Sequence, residues 1–203
     1  MHTTSRHRVL GTVAGVIIGS ALLAGCTTQP GSDPTPSATT TKTATPTPSA
    51  TPSAVAAPKS DDEAQTEAGK TLQREVAAAN DALNNNGDGM DEVAKYATGP
   101  ALKTIQQSAE ASRLDKTTRS GKQVMTVLSG YSGELVADGT KVPFGSVTLS
   151  VCNDTSDVKY VKADGSENQR PASDQTKLNV SVIYSPADHA WFVRNFEQVA
   201  TSC

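Results

Sequence analysis

The spacing of apolar and polar positions changes character three times along this chain of 203 residues. Residues 9–25, VLGTVAGVIIGSALLAG, form one apolar run of 17 residues. From Thr27 to Pro58 no period exists, because almost every position is Thr, Ser, Pro or Ala. From Ser60 the pattern becomes helical: Ala64, Ala68, Leu72, Val76, Ala79 and Leu83 recur at spacings of three and four, which lays one apolar stripe along a helix that stops near Asn84. Ser60-Asp61-Asp62-Glu63 in front of the stripe reads as a capping box. Two shorter helices are expected over residues 90–97 and 100–113, the second started by Pro100 and turning Leu102, Ile105 and Ala109 inward.

After Gly121 the period falls to two, with β-branched residues alternating between Gly, Asp and Pro turns. Four strands are expected over residues 123–135, 144–153, 176–184 and 190–199. In the third, Leu178, Val180, Val182 and Tyr184 share one face while Lys177, Asn179 and Ser181 take the other. That is the signature of an antiparallel sheet with one covered face. Residues 185–189, SPADH, supply the hairpin loop between the last two strands. Helices first and strands afterwards predict an α+β domain with the helices on the concave face of a curved four-stranded antiparallel sheet.

Composition sharpens the domain boundaries. All eight aromatic residues lie at or after Tyr96, and seven of the eleven prolines fall between Pro30 and Pro58. The segment 26–58 therefore reads as an extended, disordered linker, with Asp33 and Lys42 as its only charges, and residues 59–203 as one folded domain. As a flexible coil the linker reaches about 30 Å, and as polyproline II about 100 Å. The formal net charge is −3; without residues 1–25, which hold Arg6 and Arg8 and no acid, 16 basic and 21 acidic side chains leave −5. No basic cluster interleaved with aromatics offsets this, so nucleic acid is excluded as a partner.

Residues 1–25 read as a signal peptide, with two arginines ahead of an apolar core shorter than the roughly 20 residues of a membrane span. Its end, Leu23-Ala24-Gly25-Cys26, resembles the lipobox of bacterial lipoproteins. The resemblance implies cleavage between Gly25 and Cys26, a diacylglyceryl group on the Cys26 sulfur, and a home on the outer face of the cell membrane. Two acyl chains give the lasting hold that one does not. With Cys26 taken by lipid, Cys152 and Cys203 remain in an oxidising compartment, and a disulfide between them is expected.

The element order, ending in Trp191-Phe192-Val193, resembles the NTF2-like (cystatin-like cone) superfamily, and Val151-Cys152-Asn153-Asp154-Thr155-Ser156 with Asp164-Gly165 and a closing cysteine is similar to small lipoproteins of high-GC Gram-positive bacteria. The resemblance implies a cone-shaped pocket in which isomerases of the superfamily use an aspartate. Asp154 and Asp157 beside a strand end are the candidates here, although turn-forming and solvated roles are the commoner ones. Tyr96, Tyr131 and Trp191 are candidate lining residues, although rings at these spacings are more often core. Catalytic signatures are thin: His189 is the one histidine beyond the signal peptide, and no G-x-S-x-G, Walker, Rossmann or H-E-x-x-H pattern occurs. Asn84, Asn86, Asp88 and Gly89 imitate the start of an EF-hand loop, but its twelfth position is Lys95 rather than a bidentate Glu. The expectation is a non-catalytic module without cofactor or metal, tethered to the membrane and binding a protein or small-molecule ligand. The alternatives are an isomerase or cyclase using the cone pocket, or a surface factor acting against phage entry.

Overall fold

A computed structural model of the chain describes residues 54–168 and 173–203. The signal peptide, the lipobox with Cys26 and the linker up to residue 53 lie outside the described residues. Among the described residues no helix is long and apolar enough to cross a membrane.

The first helix, α1 (Asp61–Asn84), is capped as its sequence demands: the Ser60 Oγ accepts the Glu63 amide at 3.2 Å. Glu63 reaches one residue past the cap, and its Oε2 accepts the Lys59 amide at 2.9 Å. The buried arc of α1 is wider than the predicted stripe and takes in Thr71, Glu75, Ala78 and Ala82. Helix α2 (Met90–Val93) is half the expected length. The chain leaves it because Tyr96 and Thr98 clasp Val193 of the last strand: the Val193 amide donates to the Tyr96 carbonyl at 2.8 Å, and the Thr98 amide donates to the Val193 carbonyl at 2.9 Å. Helix α3 (Gly99–Leu114) buries Ala101, Ile105 and Ala109.

Two short strands, β1 (Thr118–Ser120) and β4 (Lys159–Val161), pair with each other. The main sheet is an antiparallel meander of β2 (Val124–Ala137), β3 (Thr140–Asp154), β5 (Gln175–Ser185) and β6 (Ala190–Ala200). The expected break between β2 and β3 is closed to a two-residue hairpin, Asp138-Gly139, both with positive φ (49° and 76°). Such a turn matches the twist of its strands and lets both continue to its edge. Register shifts between Val127 and Ser129, Gly133 and Leu135, and Ser181 and Val182 are bulges that bend the strands.

On the inner face of the sheet, Val147, Leu149, Val151, Val180, Val182 and Val193 are sealed from solvent beneath Leu72 and Val76 of α1. Helix α1 touches all four strands of the meander, and α3 lies on β6. Cys152, on the outer face of β3, is bonded to Cys203 with 5.6 Å between Cα atoms. The bridge reaches from β3 across to the chain after β6, with the Cys203 sulfur 3.4 Å from the Thr176 carbonyl of β5. Val55, expected in the linker, is docked instead: its amide donates to the His189 carbonyl at 2.7 Å and its carbonyl accepts the Tyr184 hydroxyl at 2.9 Å.

Candidate functional site

The helices do not fill the whole inner face of the sheet. Between α1, α3 and the meander lies a cavity of about 230 Å³, walled by Val76 and Ala79 of α1, Ile105 of α3, Met125 of β2, Leu178 of β5 and Phe196 of β6. It adjoins a wider cleft of about 560 Å³ bordered by the end of α3 and the β1–β4 ribbon. Leu83, Ser108, Gln123 and Tyr160 belong to the walls of both hollows.

Glu75 stands in the wall of the inner cavity. Its residue is 2% exposed, and its Oε2 has no hydrogen-bond partner. Burial alone pushes its carboxyl up to about 7 from an ordinary 4.5, because nothing nearby offsets the loss of hydration of the charged form. The helix puts it there by arithmetic: Glu75 follows Ala68 by seven residues and Ala64 by eleven, two and three turns along the same buried face.

The mouth is held by a polar network. Asn80, 6% exposed, donates to the Gln123 carbonyl (2.8 Å) and accepts from the Gln123 amide (2.9 Å) and from Arg119 Nη2 (2.8 Å). Asn84 accepts from Arg119 Nη1 at 2.7 Å and donates to the Gly121 carbonyl at 2.9 Å. Arg119 is 3% exposed, and its guanidinium donates to neutral oxygens, these two side-chain amides and the Asn80 carbonyl (3.4 Å), while its Nε has no partner. Gly121, at φ +81°, lets the β1–β2 turn pass the loop before β4, since a Cβ there would lie 2.0 Å from the Asp157 carbonyl oxygen. The wider cleft carries Asp115, Glu167 and Asp174 against Arg119 and Lys159.

The hydroxyls of the α3 wall have their protons engaged. Thr104 donates to the Pro100 carbonyl and Ser108 to the Thr104 carbonyl, each at 3.0 Å. Gln123 spends an amide proton on Asn153 Oδ1 at 2.8 Å. What Thr104 and Ser108 turn to a visitor is lone pairs, while Gln123 keeps a second amide proton.

None of the three candidate lining aromatics borders either hollow. Trp191 is core, packed edge-on against Tyr184 with ring centroids 5.6 Å apart. Tyr131 sits 66% exposed on β2, which is an edge of the sheet. Tyr96 packs against the core beside the α2–β6 clasp. The rings at the site are Tyr160 and Phe196. The two candidate aspartates are loop fasteners: Asp154 accepts from the Ser156 amide (2.8 Å) and Gln175 Nε2 (2.9 Å), which hold its carboxyl below the usual range, and Asp157 accepts the Lys122 amide (3.0 Å). His189 lies in the β5–β6 hairpin, away from both hollows. No group of three or more His, Cys, Asp or Glu able to hold a metal ion occurs among the described residues.

No family model matches the chain. No curated protein matches it either. Among solved structures it is similar to the crystal structure of the intermembrane space region of the chloroplast protein ARC6, at 13% identity and a TM-score of 0.41, over 70% of this chain and 99% of that one.

Proposed function

We propose that this is a lipid-anchored extracytoplasmic lipoprotein whose domain, an NTF2-like cone, binds a small molecule in the cavity between α1, α3 and the sheet. The observation that carries the reading is Glu75: a carboxyl sealed in an apolar wall without a partner costs stability, and sites of that kind are kept where a ligand supplies the partner. The bulged meander under three helices supports the cone, and the lipobox at Leu23-Ala24-Gly25-Cys26 supports the anchor.

Two experiments test the parts separately. Cys26→Ala releases or mislocalises the protein, and continued labelling of that variant by radioactive fatty acid overturns the anchor. Native mass spectrometry of the mature chain finds a co-purifying small molecule that is lost in Ala79→Phe, a variant that pushes a ring into the cavity. A wild-type chain that carries nothing counts against the ligand site.

Glu75 also favours a second reading, because a carboxylate titrating near neutrality suits a general base that moves a proton from one carbon to its neighbour. An enolate formed that way needs hydrogen-bond donors at its oxygen. The Thr104 and Ser108 protons are engaged, which leaves the Tyr160 hydroxyl and the second Gln123 amide proton. Binding without turnover therefore fits the wall better. Deuterium exchange into 2-cyclohexenone in D2O, present with wild type and lost in Glu75→Gln, would reverse that preference.

A further inference from the structure

We propose that the ligand of the inner cavity is an organic amine, held as its ammonium cation on the Glu75 carboxylate with an apolar body along Val76, Ile105, Met125, Leu178 and Phe196. This rests on the reading of the cavity as a ligand site and names the chemistry it selects.

The argument is a census of donors and acceptors. Glu75 Oε2 lacks a partner, and an ionised carboxylate only accepts. Thr104 Oγ1 and Ser108 Oγ have given their protons to backbone carbonyls, and Gln123 Nε2 spends one of its two protons on Asn153, so the second Gln123 amide proton and the Tyr160 hydroxyl are the donors left in a wall of acceptors. Acceptors outnumber donors in this wall, and an ammonium group brings up to three donors together with the charge that Glu75 lacks. A carboxylate or phosphate would meet a second negative charge and mostly lone pairs. The rings of Tyr160 and Phe196 add faces that attract a cation. The approach favours the same sign: among the described residues the adjoining cleft presents three carboxylates against two basic side chains, and the Arg119 guanidinium is already engaged with Asn80 and Asn84.

Binding should rise with pH as Glu75 ionises. The other titratable group bordering the cavity is the Tyr160 phenol on β4; α3, β2, β5 and β6 bring none to its wall, and Asp115, Arg119, Lys159, Glu167 and Asp174 stand in the adjoining cleft. An alkylammonium keeps its proton until about pH 10, so the change between pH 5 and 8 belongs to the protein.

The test uses three probes with one tail, hexylammonium, hexanol and hexanoate, titrated by calorimetry into the disulfide-intact mature chain carrying Cys26→Ser, which removes only the point of lipid attachment. Hexylammonium is expected to bind at pH 8 about tenfold more tightly than hexanol, to weaken on going to pH 5, and to lose its advantage in Glu75→Gln, while hexanol binds both forms alike and hexanoate binds neither. Hexanol or hexanoate binding as tightly as hexylammonium, or hexylammonium binding more tightly at pH 5 than at pH 8, overturns the amine and leaves the ligand site standing. The pH series needs no variant, so it decides even where Glu75→Gln fails to fold. No binding by any probe overturns the amine and the ligand site together.

Discussion

Replacing Glu75 with Gln is expected to make the domain more stable at neutral pH and to leave it nearly unchanged in acid. The folded carboxyl titrates near 7 and the unfolded one near 4.5. Between those values the folded state holds a proton that the unfolded state has released, so stability falls as pH rises through this window. Below pH 4.5 both states are protonated and nothing is lost. Above pH 7 the loss is complete, and a separation of that size corresponds to about 3 kcal/mol. Glutamine has the same shape and no charge to desolvate. Urea unfolding of both proteins with the disulfide intact, from pH 4 to 8, should give a stability difference that starts near zero and climbs by roughly 1.4 kcal/mol per pH unit before levelling off. Subtracting the two curves cancels surface carboxylates such as Asp154, whose lowered values act only in acid. A difference that stays flat across the range would refute the burial of a lone, ionisable Glu75.

Reduction of Cys152–Cys203, or Cys203→Ser, should lower stability by about 4 kcal/mol, the chain-entropy value for a loop spanning a sequence separation of 51; a loss under 1 kcal/mol by urea titration would mean that the last strand holds itself. Asn80→Ala removes three hydrogen bonds and leaves the Arg119 cation buried with fewer partners, for an expected loss of about 3 kcal/mol by the same titration; Asn80→Asp, which keeps the acceptor for Arg119 and the Gln123 amide but sets a carboxylate oxygen against the Gln123 carbonyl, should restore only part of it. Gly121→Ala combines a positive φ with a Cβ on top of the Asp157 carbonyl, so it should cost about 2 kcal/mol or more and open the cleft, seen as faster amide exchange at Lys122 and Gln123. A normal melting curve for that variant would show that the turn is not held against the β4 loop.

Where one rule governs an element, periodicity alone located it. The stripe from Ala64 to Leu83 placed α1, and the alternation from Leu178 to Tyr184 placed the covered face of β5. The departures came where two rules compete. Residues 90–97 read as helix locally, but a backbone clasp on Val193 takes Tyr96 and Thr98, and a long-range pair of hydrogen bonds outweighs one more helical turn. The Asp138-Gly139 hairpin was legible in principle, since that doublet adopts positive φ at both positions, and it extends β2 and β3 beyond their apolar alternation. The ribbon of β1 and β4 had no local signal, being two strands of three residues drawn from distant segments to frame the cleft.

The site escaped for a different reason, which bears on what it does. Trp191 is packing and Asp154 ties a turn, the commoner roles for a ring at that spacing and an aspartate at a strand end. A glutamate in a helix is ordinarily a solvated residue, yet the spacing of Glu75 from Ala64 and Ala68 puts it on the buried face. Folding alone gives no reason for a carboxyl at that position. An alanine or leucine would be buried there without the cost of desolvating a carboxyl, and the neighbouring positions of the arc, Ala78 and Ala82, are filled in that way. A residue that costs stability on the face where the hydrophobic pattern is strict is the kind of local inconsistency expected at a functional site. The cavity beside it, the engaged hydroxyls of α3 and the acidic approach then converge on one chemistry, a cation that carries its own hydrogen-bond donors.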